Sequence, residues 1–475
     1  MSPVRRRRLT LTLTALVVVA GVVAAIVTLS RPVSVTGSLP STSVPTVPAS
    51  ATDASSPQPS KTHRPPLPSA VLPAAAPGKV PSADILSARI SAVRVKDMKG
   101  HYSGAVLDVG SGKLLFDHSA RTSYIPASTM KVLTSAAALS ILGPEHRFTT
   151  SVVSPKSGQI VLIGGGDPYL AKKATRDDYV RRASIGDLAE GTAVALRKKK
   201  ITKVTLGYDA SLFGGPAWNP VWPDTYVDQV TPVSALWVDE GRISDSVGPR
   251  ARNPAKQAAT EFAKALKKQG VSVTAIASTR APKTATKLAA VRSLPLERIV
   301  EHLLMASDND AAEVILRQAA IGAGRQGTTA DGVQVVQAEL TKLGAWEAGA
   351  TIKDGSGLAR QTKVPAETLA KTLQMAAGDK QPDLRPLITG LPVAGVEGSL
   401  RVRFFDDASL AGRGVVRAKT GTLREVHTLA GVVRTADGSL LSFAFLINNP
   451  KNQYAAQVWL DRVTTAISRC GCTSE

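Results

Sequence analysis

The chain has 475 residues, with 58 lysines and arginines against 37 aspartates and glutamates, a formal net charge of +21, and 43% hydrophobic residues. At roughly 100–200 residues per domain it holds two to four domains, and its apolar content excludes both a wholly disordered chain and a multi-span membrane protein. Two cysteines, with no C-x-x-C pair, exclude a disulfide framework and a cysteine-based structural zinc site.

Arg5, Arg6, Arg7 and Arg8 precede an uncharged run from Leu9 to Leu29. As a helix, that run is long enough to cross a hydrocarbon layer of about 30 Å. Its basic flank keeps the N-terminus in the cytoplasm and sends the remainder outside. The run is longer than the apolar part of an ordinary signal peptide, which favours an uncleaved anchor in residues 1–30. Val23-Ala24-Ala25 leaves the cleaved, secreted form open. Residues 31–82 carry 12 of the 30 prolines among Ser, Thr and Ala, the composition of a disordered, semi-rigid spacer. Nucleic acid is scarce outside a cell. The excess positive charge therefore reads as affinity for anionic cell-wall polymers or a lipid surface, with plain solubility carrying equal weight.

From about Ala83 the composition becomes that of a folded protein. Gly104–Asp108 and Lys113–Phe116 flank a Gly-rich turn and predict a β-hairpin. Pro126 precedes a helix from about Ser128 to Leu142 that is apolar nearly all round and hence buried, ended by Gly143-Pro144. Residues 151–285 are mixed, with strand-like Ile160–Ile163 and Val204–Tyr208 and a helix near Gln257–Lys268. Helical Leu296–Ala306 pauses at Ser307-Asp308-Asn309 and resumes through Ala311–Ala320, with Ser307 and Asp310 spaced as a capping signal. Gly414–Leu423, Thr428–Val433 and Ser439–Leu446 predict an antiparallel meander, closed by an amphipathic helix from Tyr454 to Ser468. The expected fold is α+β, with one domain of 83–150 and 286–475 interrupted by an inserted domain of 151–285.

H-E-x-x-H and G-x-S-x-G are missing, and six scattered histidines offer little to a Ser-His-Asp triad. The remaining route to an activated hydroxyl is a lysine base. Ser128-Thr129-Met130-Lys131 pairs the two on one helix face. Burial and a second cation would push Lys131 towards the neutral amine that a base requires. Ser307-Asp308-Asn309 adds a hydroxyl able to pass a proton and an amide able to hold a carbonyl. Lys419-Thr420-Gly421-Thr422 adds a fixed positive charge, two hydroxyls, and a glycine that lets a substrate backbone approach a strand. Taken singly, each motif has a plain reading: a capping serine with a snorkelling lysine, which alone would outweigh the catalytic one, a helix cap, an exposed edge lysine.

In this order, S-x-x-K, S-D-N and K-T-G are the signature of β-lactamases and penicillin-binding proteins. The chain resembles most closely the type-4 (class C) low-molecular-mass penicillin-binding proteins, D-alanyl-D-alanine carboxypeptidases/endopeptidases, from about Ala83 to its C-terminus. Pro126-Ala127, Gly164 to Pro168, Asp354-Gly355-Ser356-Gly357-Leu358 and Leu391-Pro392-Val393-Ala394-Gly395 add to the resemblance. It implies a penicillin-binding/β-lactamase-like serine transferase domain, an antiparallel sheet with helices on both sides and a helical subdomain. The stretch between the first two motifs is short for two inserted domains, so one is expected. The resemblance further implies a Ser128 acyl-enzyme formed with Lys131 as base on peptidoglycan stem peptides ending in D-Ala-D-Ala. Ser307 would relay the proton to the departing D-alanine, and Asn309 would position Lys131 and the substrate amide. Lys419, Thr420 and Thr422 would bind the terminal carboxylate beside Gly421, and β-lactams would be covalent inhibitors. No metal or organic cofactor is implied. Two rivals stand beside it: a β-lactamase, which lacks here the Glu-x-x-Leu-Asn of class A enzymes downstream of Ser307, and a non-catalytic wall-binding scaffold. Cys470 and Cys472 are open to a small disulfide or to other pairing.

Overall fold

Strands that alternate apolar side chains onto both faces need cover on both faces, and two such strands precede the last helix of this chain. The computed structural model describes residues 78–174, 181–244 and 248–471. The run at 9–29 predicted to cross a membrane and most of the predicted spacer lie outside them, as does Cys472. Among the described residues no helix is long and apolar enough to cross a membrane. The last part of the predicted spacer belongs to the fold, because Lys79 bridges Gly438 and Ser82 caps the first helix.

The larger sheet combines β1 (His101–Asp108) and β2 (Leu114–His118) with β10 (Arg417–Leu423), β11 (Val426–Arg434) and β12 (Leu440–Asn448), in the order β10-β11-β12-β1-β2. All neighbours are antiparallel. The predicted hairpin and meander are therefore present, joined through the β1–β12 pair. Successive residues face opposite sides: Leu429, Val433, Phe443 and Phe445 join one apolar cluster, Ala430, Val432, Ala444 and Leu446 the other. α1 (Ala83–Ala92) and the C-terminal helix Gln453–Ser468 cover the first side, where Leu86, Ile90, Trp459 and Val463 pack. Cys470, just beyond that helix, is buried and disulfide-bonded.

The second side carries the helical layer. α2 (Met130–Leu142) has every residue from Met130 to Leu139 buried. Between β1 and α2 runs β3 (Ser123–Tyr124), which pairs with β9 (Val364–Pro365).

The chain then leaves this body and builds a second sheet from β4 (Thr149–Lys156), β5 (Gln159–Ile163), β6 (Lys203–Asp209), β7 (Ser272–Ser278) and β8 (Thr286–Arg292), ordered β7-β6-β5-β4-β8. β5, β6 and β7 are parallel, linked by α3 (Ile185–Lys198) and α4 (Pro254–Lys268) packed on one face. This sheet occupies 149–292, so it extends past the expected limit at 285. β8 is an edge strand of exposed and half-buried residues, and it carries no apolar alternation to announce it. The two crossing points are tied together: Phe148 N–H donates to Ser293 Oγ at 2.8 Å, and Ser293 N–H donates to the Phe148 carbonyl at 2.8 Å.

α5 (Leu296–Ala306), α6 (Asn309–Gly322), α7 (Thr329–Lys342), α8 (Ala366–Ala377) and the short α9 (Pro386–Thr389) complete the helical layer around α2, and the C-terminal helix is α10. The predicted pause at Ser307 is present, but Ser307 does not cap α6. It ends α5 in the left-handed region (φ 59°), and Asp308 is the cap, its carboxylate accepting from Ala311 N–H. The Ser307 hydroxyl is engaged elsewhere. Replacing Ser293 by alanine leaves the buried Phe148 amide without an acceptor; we expect a loss of about 1–3 kcal/mol in urea or thermal unfolding, with the second sheet detaching first in hydrogen exchange.

Candidate active site

Ser128 sits in a single 3-10 turn, Ala127–Thr129, that leads into α2. Ala127 has φ 47°, a left-handed conformation that an alanine adopts only when its surroundings impose it. The surroundings are visible. The Pro126 carbonyl accepts from the hydroxyls of Thr129 (2.7 Å) and Thr428 (2.8 Å). A Cβ on Gly357 would lie 1.9 Å from the Ala127 carbonyl oxygen, and one on Gly421 would lie 2.6 Å from that of Pro126 and 3.1 Å from Ser128 N. Two glycines from distant segments thus press backbone against the serine turn.

One turn into α2, Lys131 is fully buried. Its Nζ lies 2.9 Å from Ser128 Oγ, 2.7 Å from Asn309 Oδ1 and 2.8 Å from the Ser356 carbonyl oxygen. Asn309 is oriented by its own Nδ2, which donates to the Gln229 carbonyl at 3.0 Å, so its oxygen faces the lysine. Two of the three lysine partners can only accept, whereas the serine hydroxyl can also donate. A neutral amine gives its two hydrogens to the amide oxygens and turns its lone pair to Ser128. Burial lowers the lysine to about 8, opposed chiefly by the charges of Asp354 and Asp308.

Lys419, on β10, is also fully buried, and its Nζ donates to Ser307 Oγ and to the Thr420 carbonyl, both at 2.8 Å. Burial, then repulsion from Lys131, holds its amine well below the ordinary lysine range. Thr420 donates to Ser399 Oγ at 2.7 Å. β10 is the edge of its sheet, and Ala418 N–H points outward, to the Pro392 carbonyl. By the two-residue period, the Thr420 and Thr422 amides point to the same open edge as Ala418, beside Ser128. The structure therefore brings Ser128, Lys131, Ser307, Asn309, Lys419, Thr420 and Gly421 together, with both amines buried, Thr420 half-buried and Thr422 exposed one residue further along β10.

Several contributors escaped the motif reading. Gln229 and Ser356 act through backbone carbonyls, which leave no trace in side-chain identity. Asp354 organises its loop by accepting from Gly357 and Ala359 N–H and from Trp222 Nε1. Glu313, four residues after Asn309 on α6, accepts from the Gly355 and Ser356 amides; its helical spacing from Asn309 was the signal to follow. Glu240, Asp308 and Asp310 bring carboxylate oxygens within 4.8 Å of one another. Their charge is met by Arg242, 2.7 Å from Glu240, and Arg250, 3.1 Å from Asp310, while burial and Asp308 raise Glu240 to about 9, so it carries a proton beside Asp308.

Residues 86–252 and 245–466 match the D-Ala-D-Ala carboxypeptidase 3 (S13) family. The chain is 37% identical to carboxypeptidase Rv3627c of Mycobacterium tuberculosis over 429 residues, covering 88% of this chain and 91% of that one. It is 35% identical over 398 residues to carboxypeptidase DacB of Mycolicibacterium smegmatis, covering 82% and 84%. Among solved structures, penicillin binding protein 4 of Haemophilus influenzae superposes with a TM-score of 0.66 at 21% identity, covering 80% of this chain and 97% of that one. The fold is therefore of the penicillin-binding, β-lactamase-like class.

Replacing Gly421 by alanine puts a methyl 2.1 Å from Thr428 Oγ1 and against the Pro126 carbonyl. We expect a fall in thermal midpoint equivalent to about 1–3 kcal/mol and, in a crystal structure of the variant, β10 displaced from Ser128.

Proposed function

The chain belongs to the D-Ala-D-Ala carboxypeptidase 3 (S13) family and is a serine-type D-Ala-D-Ala carboxypeptidase; for its chemistry we propose acyl transfer through Ser128 with Lys131 as the base. The observation that carries the reading is the set of three contacts around the Lys131 amine: once deprotonated, it gives its two hydrogens to the amide oxygens and its lone pair to the serine. Lys131 takes the hydroxyl proton as Ser128 Oγ attacks the carbonyl carbon of the penultimate D-alanine. The amides of Ser128 and Thr422 receive the oxyanion, each worth typically about 2.7–4 kcal/mol in such a site. As the C–N bond breaks, the proton passes through the Ser307 hydroxyl to the departing D-alanine amine. Water then attacks the ester by the reverse path, and Lys131 again takes a proton.

Lys419, Thr420 and Thr422 are assigned to the terminal carboxylate. With the site empty, burial and Lys131 disfavour a charged Lys419. An arriving carboxylate supplies the missing counter-charge, so binding and protonation of Lys419 reinforce each other. A β-lactam acylates Ser128 by the same route and leaves slowly. The same proposal places the catalytic body outside the cytoplasmic membrane, tethered by residues 9–29 or released after cleavage there. The net charge of +21 supports contact with anionic wall polymers.

A fluorescent penicillin is expected to label the wild type and not Ser128→Ala, and Lys131→Met is expected to acylate about 10²–10⁴ times more slowly. Equal labelling of wild type and Ser128→Ala would remove the assignment, and rapid penicillin turnover would favour a β-lactamase. Because the active form has lost the Lys131 proton, acylation should rise with pH through about 8 and level above it; a rate flat across that range argues for another base. Product analysis on monomeric and cross-linked muropeptides, with Ser128→Ala as control, measures any endopeptidase share.

A further inference from the structure

Resting on the Ser128–Lys131 chemistry above, we propose that Glu313 is an uncharged clamp for the base, a positioning residue that holds Lys131 through the Ser356 carbonyl. Glu313 lies one turn beyond Asn309 on α6, so the two side chains share a helix face. Asn309 touches the lysine directly, and Glu313 reaches it through the loop that starts at Asp354. Its Oε1 accepts from Gly355 N–H at 2.9 Å and Ser356 N–H at 2.7 Å, and the Ser356 carbonyl accepts from Lys131 at 2.8 Å.

The loop has no slack in which to absorb a missing clamp. Thr134 of α2 donates to the Gly355 carbonyl at 2.8 Å. A Cβ on Gly355 would lie 2.8 Å from the Ala312 carbonyl oxygen, and one on Gly357 would lie 1.9 Å from that of Ala127. The loop is wedged between α6 and the serine turn, so a shift at Ser356 moves the base relative to its nucleophile.

The carboxyl is fully buried, and its second oxygen, Oε2, has no hydrogen-bond partner among the described residues. Arg317, one turn further along α6, gives its guanidinium to the Gly214 and Pro216 carbonyls and to Thr329 instead. The charged groups facing Glu313 are Lys131 from α2, Asp354 from the loop and Arg317 on its own helix. A bare anionic oxygen in this dry setting is the costlier state. Burial, then the charge of Asp354, raises the carboxyl to about 8. The uncharged form also suits the chemistry, because a negative charge here would hold the proton on Lys131. Below about pH 8 an uncharged acid that accepts two amides fixes the lysine without adding to the charges that hold its proton.

The test is the acylation time course with a fluorescent penicillin, over a range of pH, for wild type, Glu313→Gln, Glu313→Met and Ser128→Ala. Glu313→Gln keeps the acceptor and cannot ionise, so its rate is expected within about threefold of wild type with the acid limb unmoved. Glu313→Met fills similar space without accepting, and its acylation step is expected to slow about 10- to 100-fold while initial reversible binding is unchanged. A Met variant at the wild-type rate, or a Gln variant as slow as the Met one, overturns the clamp. A limb moved to lower pH in Glu313→Gln also overturns it, since it shows that a negative charge had been raising Lys131. If Glu313→Met does not fold, judged by near-ultraviolet circular dichroism, the rate and limb of the Gln variant decide the matter alone. Wild-type labelling that Ser128→Ala abolishes shows that the Ser128 reading stands whatever the Glu313 variants do.

Discussion

An ammonium group cannot be enclosed in a protein interior without either a counter-charge or the loss of its proton, and the placement of Lys131 turns on that constraint. Full burial of a cation costs several kcal/mol even after relaxation. Here the nearest partners are a hydroxyl and two amide-type oxygens, with the carboxylates set further back. Those partners hold an amine in place without insisting on its charge. The acids behind them limit how far the proton affinity falls, which leaves the lysine near 8, where it can both take and return a proton. The apolar character of α2 follows from the same need, because a helix buried on every side is the means of enclosing its own lysine.

Once that amine is enclosed, the remaining architecture supplies its acceptors from segments remote in sequence. Ser128 comes from the turn before α2, Asn309 from the start of α6 and Ser356 from the loop after α7. Gln229, which orients Asn309, comes from the chain between β6 and α4. That stretch is also tied to the catalytic body by Thr231 N–H on Asp310, Trp222 on Asp354 and Asn219 on the Lys353 carbonyl. The second sheet is thus more than an appended module, since the strap that leaves it completes the environment of the base. Lys419 mirrors the arrangement: a second buried amine on a second serine hydroxyl, placed near enough to Lys131 that the charge of Lys131 disfavours its own.

What the sequence revealed and concealed follows from which atoms do the work. Ser128, Lys131, Ser307, Asn309 and Lys419 meet through side chains, and their spacing on helix and strand was enough to mark them. The meander was legible because β11 and β12 alternate apolar residues onto two covered faces. β8 was not, because an exposed edge strand carries no such pattern. Ser307 was misread as a cap since serine at a helix start has that local use. Its hydroxyl is taken by Lys419, more than a hundred residues away in sequence, and no local signal reports that contact. The carbonyls of Gln229 and Ser356 were invisible for a more basic reason, as any residue supplies one.

The two serines also show why backbone strain collects at this cleft. A hydroxyl at a regular interior helical position would lie beside its own helix, with its amide bonded to the turn before. Ser128 instead occupies a 3-10 turn after a left-handed Ala127, and Ser307 is itself left-handed between α5 and α6. Each such residue costs roughly 1–3 kcal/mol, a cost that the surrounding contacts must offset. The strain at the first site frees the Ser128 amide from helical bonding and leaves its hydroxyl at the cleft, while Lys131, three residues on, is already in the core. The step from 3-10 turn to α-helix therefore joins solvent to a dry interior within a single turn. Gly357 and Gly421 are glycines because they press on the outside of that turn, where a single added carbon would push the serine off its base.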